Sequence, residues 1–407
     1  MKLRVGMLVG YIGTRYFGMQ VTRRPESRSV EDCVENALKA AGYAKNDDER
    51  PLKIARCSRT DKSVHAALNM IALKIIVKPG DLLIPLPSAK NSISKVVSES
   101  RDLDQNTFKV AEGGNKSEES EVEIGDETKE VLKVHLNRKL IVENINKLLD
   151  DDIRVYGFRL VSKRLDPRFA CGMRTYEYLL PLFVIVDPCQ SMQKDASISL
   201  EKLESLVKEL ADLSAGYEGV HNFHNFTSEA QPHEQRNKRK IKSFKVSWCC
   251  HSRSETELQG GEIPINQVYL RFTLEGVSFM FHQIRRMVGL LVQIHTGVLK
   301  TTIPDTSHTE NLSDYLTSAK RYILTAPAEG LFLSNMKITP RVEEGQETFT
   351  FTPPEQEAYQ NMRQRIEQEI RSKQSEACHR WLKEIRDQED MSSKLTAFEG
   401  RWRALTP

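Results

Sequence analysis

The stretch that most restricts this chain is Phe279 to His295. Met280, Ile284, Met287, Val288 and Leu291 recur at the spacing of one helical face, so the segment reads as an amphipathic helix that must bury that face. Arg285 and Arg286 sit in its middle. A guanidinium inside an apolar helix asks for an anionic partner, because an unpaired buried charge is strongly destabilising. The fold therefore has to bring a carboxylate or a phosphate to this helix from elsewhere.

One segment offers such a carboxylate. Arg59-Thr60-Asp61-Lys62-Ser63-Val64-His65-Ala66 sets an aspartate between two cations, with apolar sequence before it (Leu52 to Ala55) and after it (Leu68 to Val77). Read alone, it is either a solvated turn with a casual ion pair or a reactive loop held by rigid elements.

Charge points to a class of partner once it is divided. The chain carries a net +3 over 407 residues, but residues 113–130 hold seven acidic side chains against two lysines. The rest of the chain is thus about +8, a basic body with an acidic insert, which suits a polyanion binder. Charged residues at 28% and hydrophobic ones at 39% fit a globular protein with room for two or three domains. No stretch reaches the roughly 18 apolar residues that span a bilayer. The apolar start, Met1 to Val9, is broken by Gly6, Gly10 and Gly13, so it reads as a first strand and not a signal peptide. Seven scattered cysteines fit reduced thiols in an intracellular protein. Cys249-Cys250-His251 lacks a second pair at ligand spacing, so no metal site is expected.

In chain order, Leu3 to Tyr11 reads as a strand, followed by a Gly- and aromatic-rich loop through Gln20 that is either a plain turn or an RNA platform. Ser29 caps a helix through Val30, Val34, Ala37, Leu38 and Ala41, which Gly42 closes. Asn69 to Val77 is a strand. Residues 97–130 lose all periodicity and read as a disordered acidic insert. A helix over Asn137 to Leu149 and a strand over Ile153 to Val161 follow. Arg168 to Leu182 reads as a strand with Arg174, Tyr176 and Tyr178 on one face and Thr175, Glu177 and Leu179 on the other. The tyrosine face is a stacking platform or simply a half-buried sheet face. Leu200 to Leu213 is a helix, Ile241 to Trp248 and Gln267 to Leu274 are strands, and Gly330 to Ile338 is a final strand. The basic run Arg236 to Lys242 contacts phosphates, directs nuclear import or ends a hairpin. After Pro353-Pro354 the tail reads as one or two charged amphipathic helices with no chemical role. The expected class is α+β, with strand–helix–strand appearing in each half. The expected division is 1–160, 161–340 and a helical extension over 341–407.

Six segments in this order resemble the TruA family of tRNA pseudouridine synthases, and more its eukaryotic Pus-one branch. They are residues 11–20, the Asp61 loop, Arg174 to Pro181, His221 to Thr227, Ser278 to Gly289, and Ala326 to Leu333. The resemblance implies two ferredoxin-like α/β halves forming a mixed, mainly antiparallel sheet, with helices on one side and a central active-site cleft. It implies isomerisation of uridine in tRNA, and possibly in other RNAs, to pseudouridine, on a base taken out of its stack. No cofactor is implied, since the reaction needs no redox step. Asp61 would be the catalytic nucleophile or base. Arg285 would pair with Asp61 and keep it ionised, Tyr176 would stack on the uracil, and Arg59 would fill the vacated space or hold its phosphate. Ser63 departs from the glycine usual in that motif, which matters if the position needs positive φ. A second reading keeps the fold and makes the chain an RNA-binding or RNA-folding protein with weak catalysis. The basic run favours a nuclear location, with mitochondrial or cytoplasmic ones open. Nothing in the sequence separates a monomer from a homodimer.

Overall fold

The computed structural model describes residues 1–22, 27–45, 51–83, 135–186, 196–228, 230–250, 262–297, 311–338 and 349–386. The acidic insert expected over 97–130, and His251, lie outside the described residues. In chain order the strands are β1 (Lys2–Tyr11), β2 (Ala55–Arg56), β3 (His65–Ile76), β4 (Leu82–Leu83), β5 (His135–Leu136), β6 (Ile153–Leu160), β7 (Cys171–Pro181), β8 (Ser197–Ser199), β9 (Gly219–Asn222), β10 (Lys238–Cys250), β11 (Glu262–Pro264), β12 (Val268–Gly276) and β13 (Leu331–Ile338). The helices are α1 (Val30–Ala40), α2 (Arg138–Asn146), α3 (Pro167–Ala170), α4 (Leu200–Ser214), α5 (Gln283–His295) and α6 (Pro353–Arg386). Among the described residues β1 pairs antiparallel with β6, β2 with β3, β7 with β12, β12 with β10 and β10 with β9, while β13 pairs with β3 in parallel, so the sheet pairing is mixed and mainly antiparallel. This is the α+β architecture expected from the sequence.

The chain divides into two compact units. The first comprises residues 1–60, 67–172 and 337–362. Its strands run in the order β6-β1-β3, with β2 on β3. β1 and β3 are apolar along almost their whole length and buried on both faces, as central strands should be. The start of α1 is set by a capping box. Asp32 N–H donates to Ser29 Oγ at 3.2 Å, and Ser29 N–H donates to Asp32 Oδ2 at 2.8 Å. Gly42, at φ +73, turns the chain out of the helix. Glu355 in the first turn of α6 takes a two-pronged bond from the buried Arg159, at 2.8 and 2.6 Å.

The second unit comprises residues 61–66, 173–336 and 363 onwards. Its strands run β13-β7-β12-β10-β9. The first residues of β3 belong here, where His65 and Ala66 pair in parallel with Phe332 and Leu333. Along β7 the two-residue period holds as expected. On one face Tyr178 donates its hydroxyl to Pro327 O at 3.0 Å, and on the other Glu177 receives α6. There Arg363 grips Glu177 through both guanidinium nitrogens at 2.8 and 2.7 Å, and Arg271 from β12 bridges Glu177 to Glu367. The tail is a single helix in the described residues, with Ile366, Ile370, Trp381 and Ile385 all buried.

Several boundaries shift from the sequence expectation, β10 beginning at Lys238 and α2 ending at Asn146 among them, and three of the shifts bear on the site. β3 begins at His65 instead of Asn69, because backbone pairing with β13 extends it. β7 begins at Cys171 because Pro167–Ala170 forms a helical turn capped by Asp166. The helix expected from Phe279 begins at Gln283, because His282 takes a left-handed conformation (φ 61) and Gln283 Oε1 folds back onto Met280 N–H at 2.8 Å. Met280, expected in the core stripe, is consequently only half-buried and outside the helix.

Candidate active site

The loop carrying Asp61 is tied down on each side by different elements. Before it, in the first unit, a buried polar network fixes the chain. Tyr11 hydroxyl and Thr60 Oγ1 share a hydrogen bond of 2.9 Å, Asn69 Nδ2 donates to Ser58 O at 3.0 Å, and Met19 N–H donates to Thr60 O at 3.2 Å. Burial pushes the Tyr11 phenol up to about 12, so it stays protonated as a donor or acceptor. After it, in the second unit, buried His65 bonds through Nε2 to Glu329 O at 3.2 Å. Since that partner is a carbonyl, Nε2 is the protonated nitrogen. Burial holds the imidazole down at about 4, so it is neutral near pH 7.

Between these ties Asp61 opens a tight turn closed by Val64 N–H onto Asp61 O at 3.2 Å. Ser63 sits at φ 66. Positive φ at the third residue, and not at Lys62, is the type II pattern, which favours glycine. A serine there is strained by roughly 1 kcal/mol. The condition attached to Ser63 from the sequence is thus met.

Within the second unit this turn meets the start of α5. Asp61 is half-buried, its side chain 25% exposed, and burial raises its carboxyl above the ordinary carboxylate range. The charge of Arg285 offsets part of that rise. The influence acts through space: among the described residues no ion pair within 4.0 Å joins the two side chains, and Arg285 Nε donates to Ala326 O at 2.7 Å. Burial lowers Arg285 below its usual value, opposed by Tyr178, Asp61 and Glu329; the two carboxyl groups are the anionic members of that set, since Tyr178 keeps its proton on Pro327 O. An arginine remains protonated under these conditions. The partner that the helix required is therefore a set of groups around Arg285, not one contact.

Arg286 has a different task. Nη1 donates to Asn225 O at 3.0 Å and Thr227 O at 2.7 Å, so carbonyls from the His221 to Thr227 segment satisfy it. That segment is core: Phe223 and Phe226 are fully buried and pack with Tyr217. Its amides are used internally, Asn225 Nδ2 donating to Tyr315 O and Ala319 O.

Tyr176 is 7% exposed and meets Phe279 near-perpendicularly, with ring centres 5.2 Å apart. Phe279 lies three residues before His282, so the tyrosine is joined to the same approach into α5. Arg59 belongs to the first unit and is exposed, its Nη1 donating to Gln20 Oε1 at 3.4 Å. Sequence reading missed His282, whose Nε2 lies 3.8 Å from Asp61 Oδ2. Burial, then Arg285 and Arg286, hold this imidazole down at about 4. It is neutral near pH 7, and 3.8 Å exceeds a hydrogen bond, so the two are neighbours and not an ion pair. The positive φ that brings it there leaves no mark in the sequence. Among the described residues no group of three or more His, Cys, Asp or Glu side chains could hold a metal.

A family model described as tRNA pseudouridine synthase matches residues 213–337, which include Arg285 and most of the second unit. The chain is also 28% identical to "Pseudouridylate synthase 1 homolog" of Mus musculus over 82% of its own length and 60% of the relative's. The chain is thus similar to the tRNA pseudouridine synthases of the TruA type. The human protein of the same name is 28% identical over 74% of this chain and 54% of that relative. The "tRNA pseudouridine(27/28) synthase" of Saccharomyces cerevisiae is 24% identical over 80% of this chain and 82% of that relative. The chain thus spans somewhat over half the length of the mouse and human relatives.

Proposed function

We propose that this chain isomerises uridine to pseudouridine in RNA, with tRNA as substrate, and that Asp61 is its catalytic group. The observation that carries the reading is the half-buried Asp61 carboxylate, displayed on a strained turn and acted on by Arg285 from the segment that the family model matches. Names of the relatives support the same activity.

The chemistry is an internal exchange. The bond from C1′ to N1 breaks, the uracil turns, C1′ bonds to C5, and the proton on C5 is lost while N1 gains one. No electron acceptor or external group enters, so side chains suffice. Asp61 supplies the nucleophile or base, and Arg285 favours its ionised form against burial. Tyr176 stacks on the extruded uracil, a contact worth about 1–3 kcal/mol. Its ring is nearly covered, so the base gains access by displacing Phe279. Arg59, exposed two residues before Asp61, fills the space left in the RNA or holds a phosphate.

No helix among the described residues is long and apolar enough to cross a membrane. Nuclear residence rests on the Arg236 to Lys242 run, in which Lys238, Lys240 and Lys242 are exposed. A fluorescent fusion that stays nuclear after those three lysines become serine would remove that support.

The test of the activity is direct. Wild type and Asp61→Ala are incubated with an unmodified tRNA transcript, and pseudouridine is mapped by carbodiimide chemistry. Wild type introduces pseudouridine, and Asp61→Ala binds the transcript without modifying it. Equal modification by both would remove Asp61 from the reaction, and none by either would remove the activity.

A further inference from the structure

Residues 277 to 282, between β12 and α5, present two phenylalanines differently. Phe279 turns inward onto Tyr176. Phe281 turns outward and is 56% exposed. A single exposed phenylalanine is ordinary on a protein surface. This one is not a loose ring, because the imidazole of His282 lies against it, with centres 3.7 Å apart and planes 24° from parallel. The other end of that imidazole is 3.8 Å from Asp61. The order is thus exposed ring, half-buried ring, carboxylate. The backbone at His282 sustains this order at φ 61, which L side chains adopt at a cost and which persists where surrounding structure enforces it.

A uridine removed from its stack leaves its neighbour in the RNA with one face open to water. An aromatic ring set beside the reacting group can cover that face, and it does so for any base, since every base has a π-face. We propose that Phe281, braced on His282, is a stacking shelf for the nucleobase adjacent to the uridine that reaches Asp61; this rests on the reading of the preceding subsection. Phe281 is a binding residue in this scheme, and His282 positions it. The imidazole is neutral near pH 7, so it braces the ring without competing for Asp61 as a counter-ion.

The test uses the full chain and the unmodified tRNA transcript, with Phe281→Ala, Phe281→Leu, Phe281→Trp and His282→Gly. Phe281→Ala and Phe281→Leu lose about tenfold or more in kcat/KM with melting temperature unchanged, while Phe281→Trp keeps it. Fluorescence of the tryptophan added in Phe281→Trp is quenched by the transcript beyond the quenching of wild type. His282→Gly, which relieves the left-handed strain but removes the brace, melts higher and yet has lower kcat/KM, a split that a purely structural residue would not give. Wild-type kcat/KM in Phe281→Leu, an equal loss in Phe281→Trp and Phe281→Ala, or no added quenching at saturating RNA would each overturn the shelf. If wild type modifies nothing, the activity reading fails by that result. The quenching titration then decides the shelf alone, its presence keeping the stacking contact and its absence removing it.

Discussion

Asp61 Oδ2 and His282 Nε2 stand 3.8 Å apart without sharing a proton. The imidazole is held down at about 4 and the carboxylate is raised by burial, so the charge of Asp61 depends on Arg285. Removing that cation leaves burial unopposed and raises the carboxyl further. In Arg285→Gln the acid limb of kcat/KM against pH therefore moves to higher pH, and activity near neutrality falls while RNA binding is largely kept. A pH profile that overlays wild type would show that Arg285 does not govern Asp61.

The Ser63 turn yields an opposite-signed expectation for stability. Ser63→Gly removes the left-handed strain at φ 66 and stabilises the chain by about 1 kcal/mol, with activity retained. Ser63→Val places a β-branched residue in the same conformation and lowers both stability and activity. Urea unfolding of the three proteins decides this; a less stable glycine variant contradicts the strain argument.

His65 predicts a pH window. It is fully buried and neutral, at about 4 against an ordinary 6.5 in the unfolded chain. Below pH 6.5 the unfolded state takes up the proton first, so stability falls as pH drops from about 6.5 to about 4, by about 3 kcal/mol in all. His65→Gln, whose amide can still donate to Glu329 O, flattens that part of the stability curve. An unchanged slope would mean that the imidazole is protonated in the fold.

Glu177 predicts a lower window. Burial raises its carboxyl, but hydrogen bonds and charge from Arg363 and then Arg271 outweigh burial and hold it below its ordinary value. Its contribution is complete above the unfolded carboxylate range, about pH 4.3, and is lost as pH falls through the lower folded value. Glu177→Ala leaves Arg271 and Arg363 with Glu367 alone and costs about 1–3 kcal/mol at pH 7. Glu177→Gln loses less and shows a shallower decline below pH 4.3. Limited proteolysis between Arg363 and Arg386 reads out the same contact, since α6 is fastened to β7 there. Wild-type resistance in Glu177→Ala would show that Ile366 and Ile370 hold the helix unaided.

Much of this molecule is legible in short-range pattern. The two-residue period of β7, the Ser29 cap of α1, the apolar stripe of α5 from Ile284 onward and the apolar positions of α6 each encode a buried face. Arg285 was legible as a charge needing company, and Asp61 as a carboxylate in a walled loop.

Side-chain type and spacing alone thus determined which elements form and which faces are buried, and marked Asp61 and Arg285 as charges in need of partners. Only the tertiary structure decided who answers each charge. Arg285 serves Ala326 O while acting on Asp61 through space, Arg286 is taken by the carbonyls of Asn225 and Thr227, and Glu177 is taken by Arg363 and Arg271. It also decided that Ser63 and His282 adopt positive φ, which sets Asp61 on its turn and His282 beside it. The physical reason is one of range. Periodicity is a property of neighbours along the chain, whereas the partner of a buried group is chosen when distant segments close. The sign of φ at a serine or histidine is likewise imposed by that closure, since neither residue prefers the left-handed region by itself.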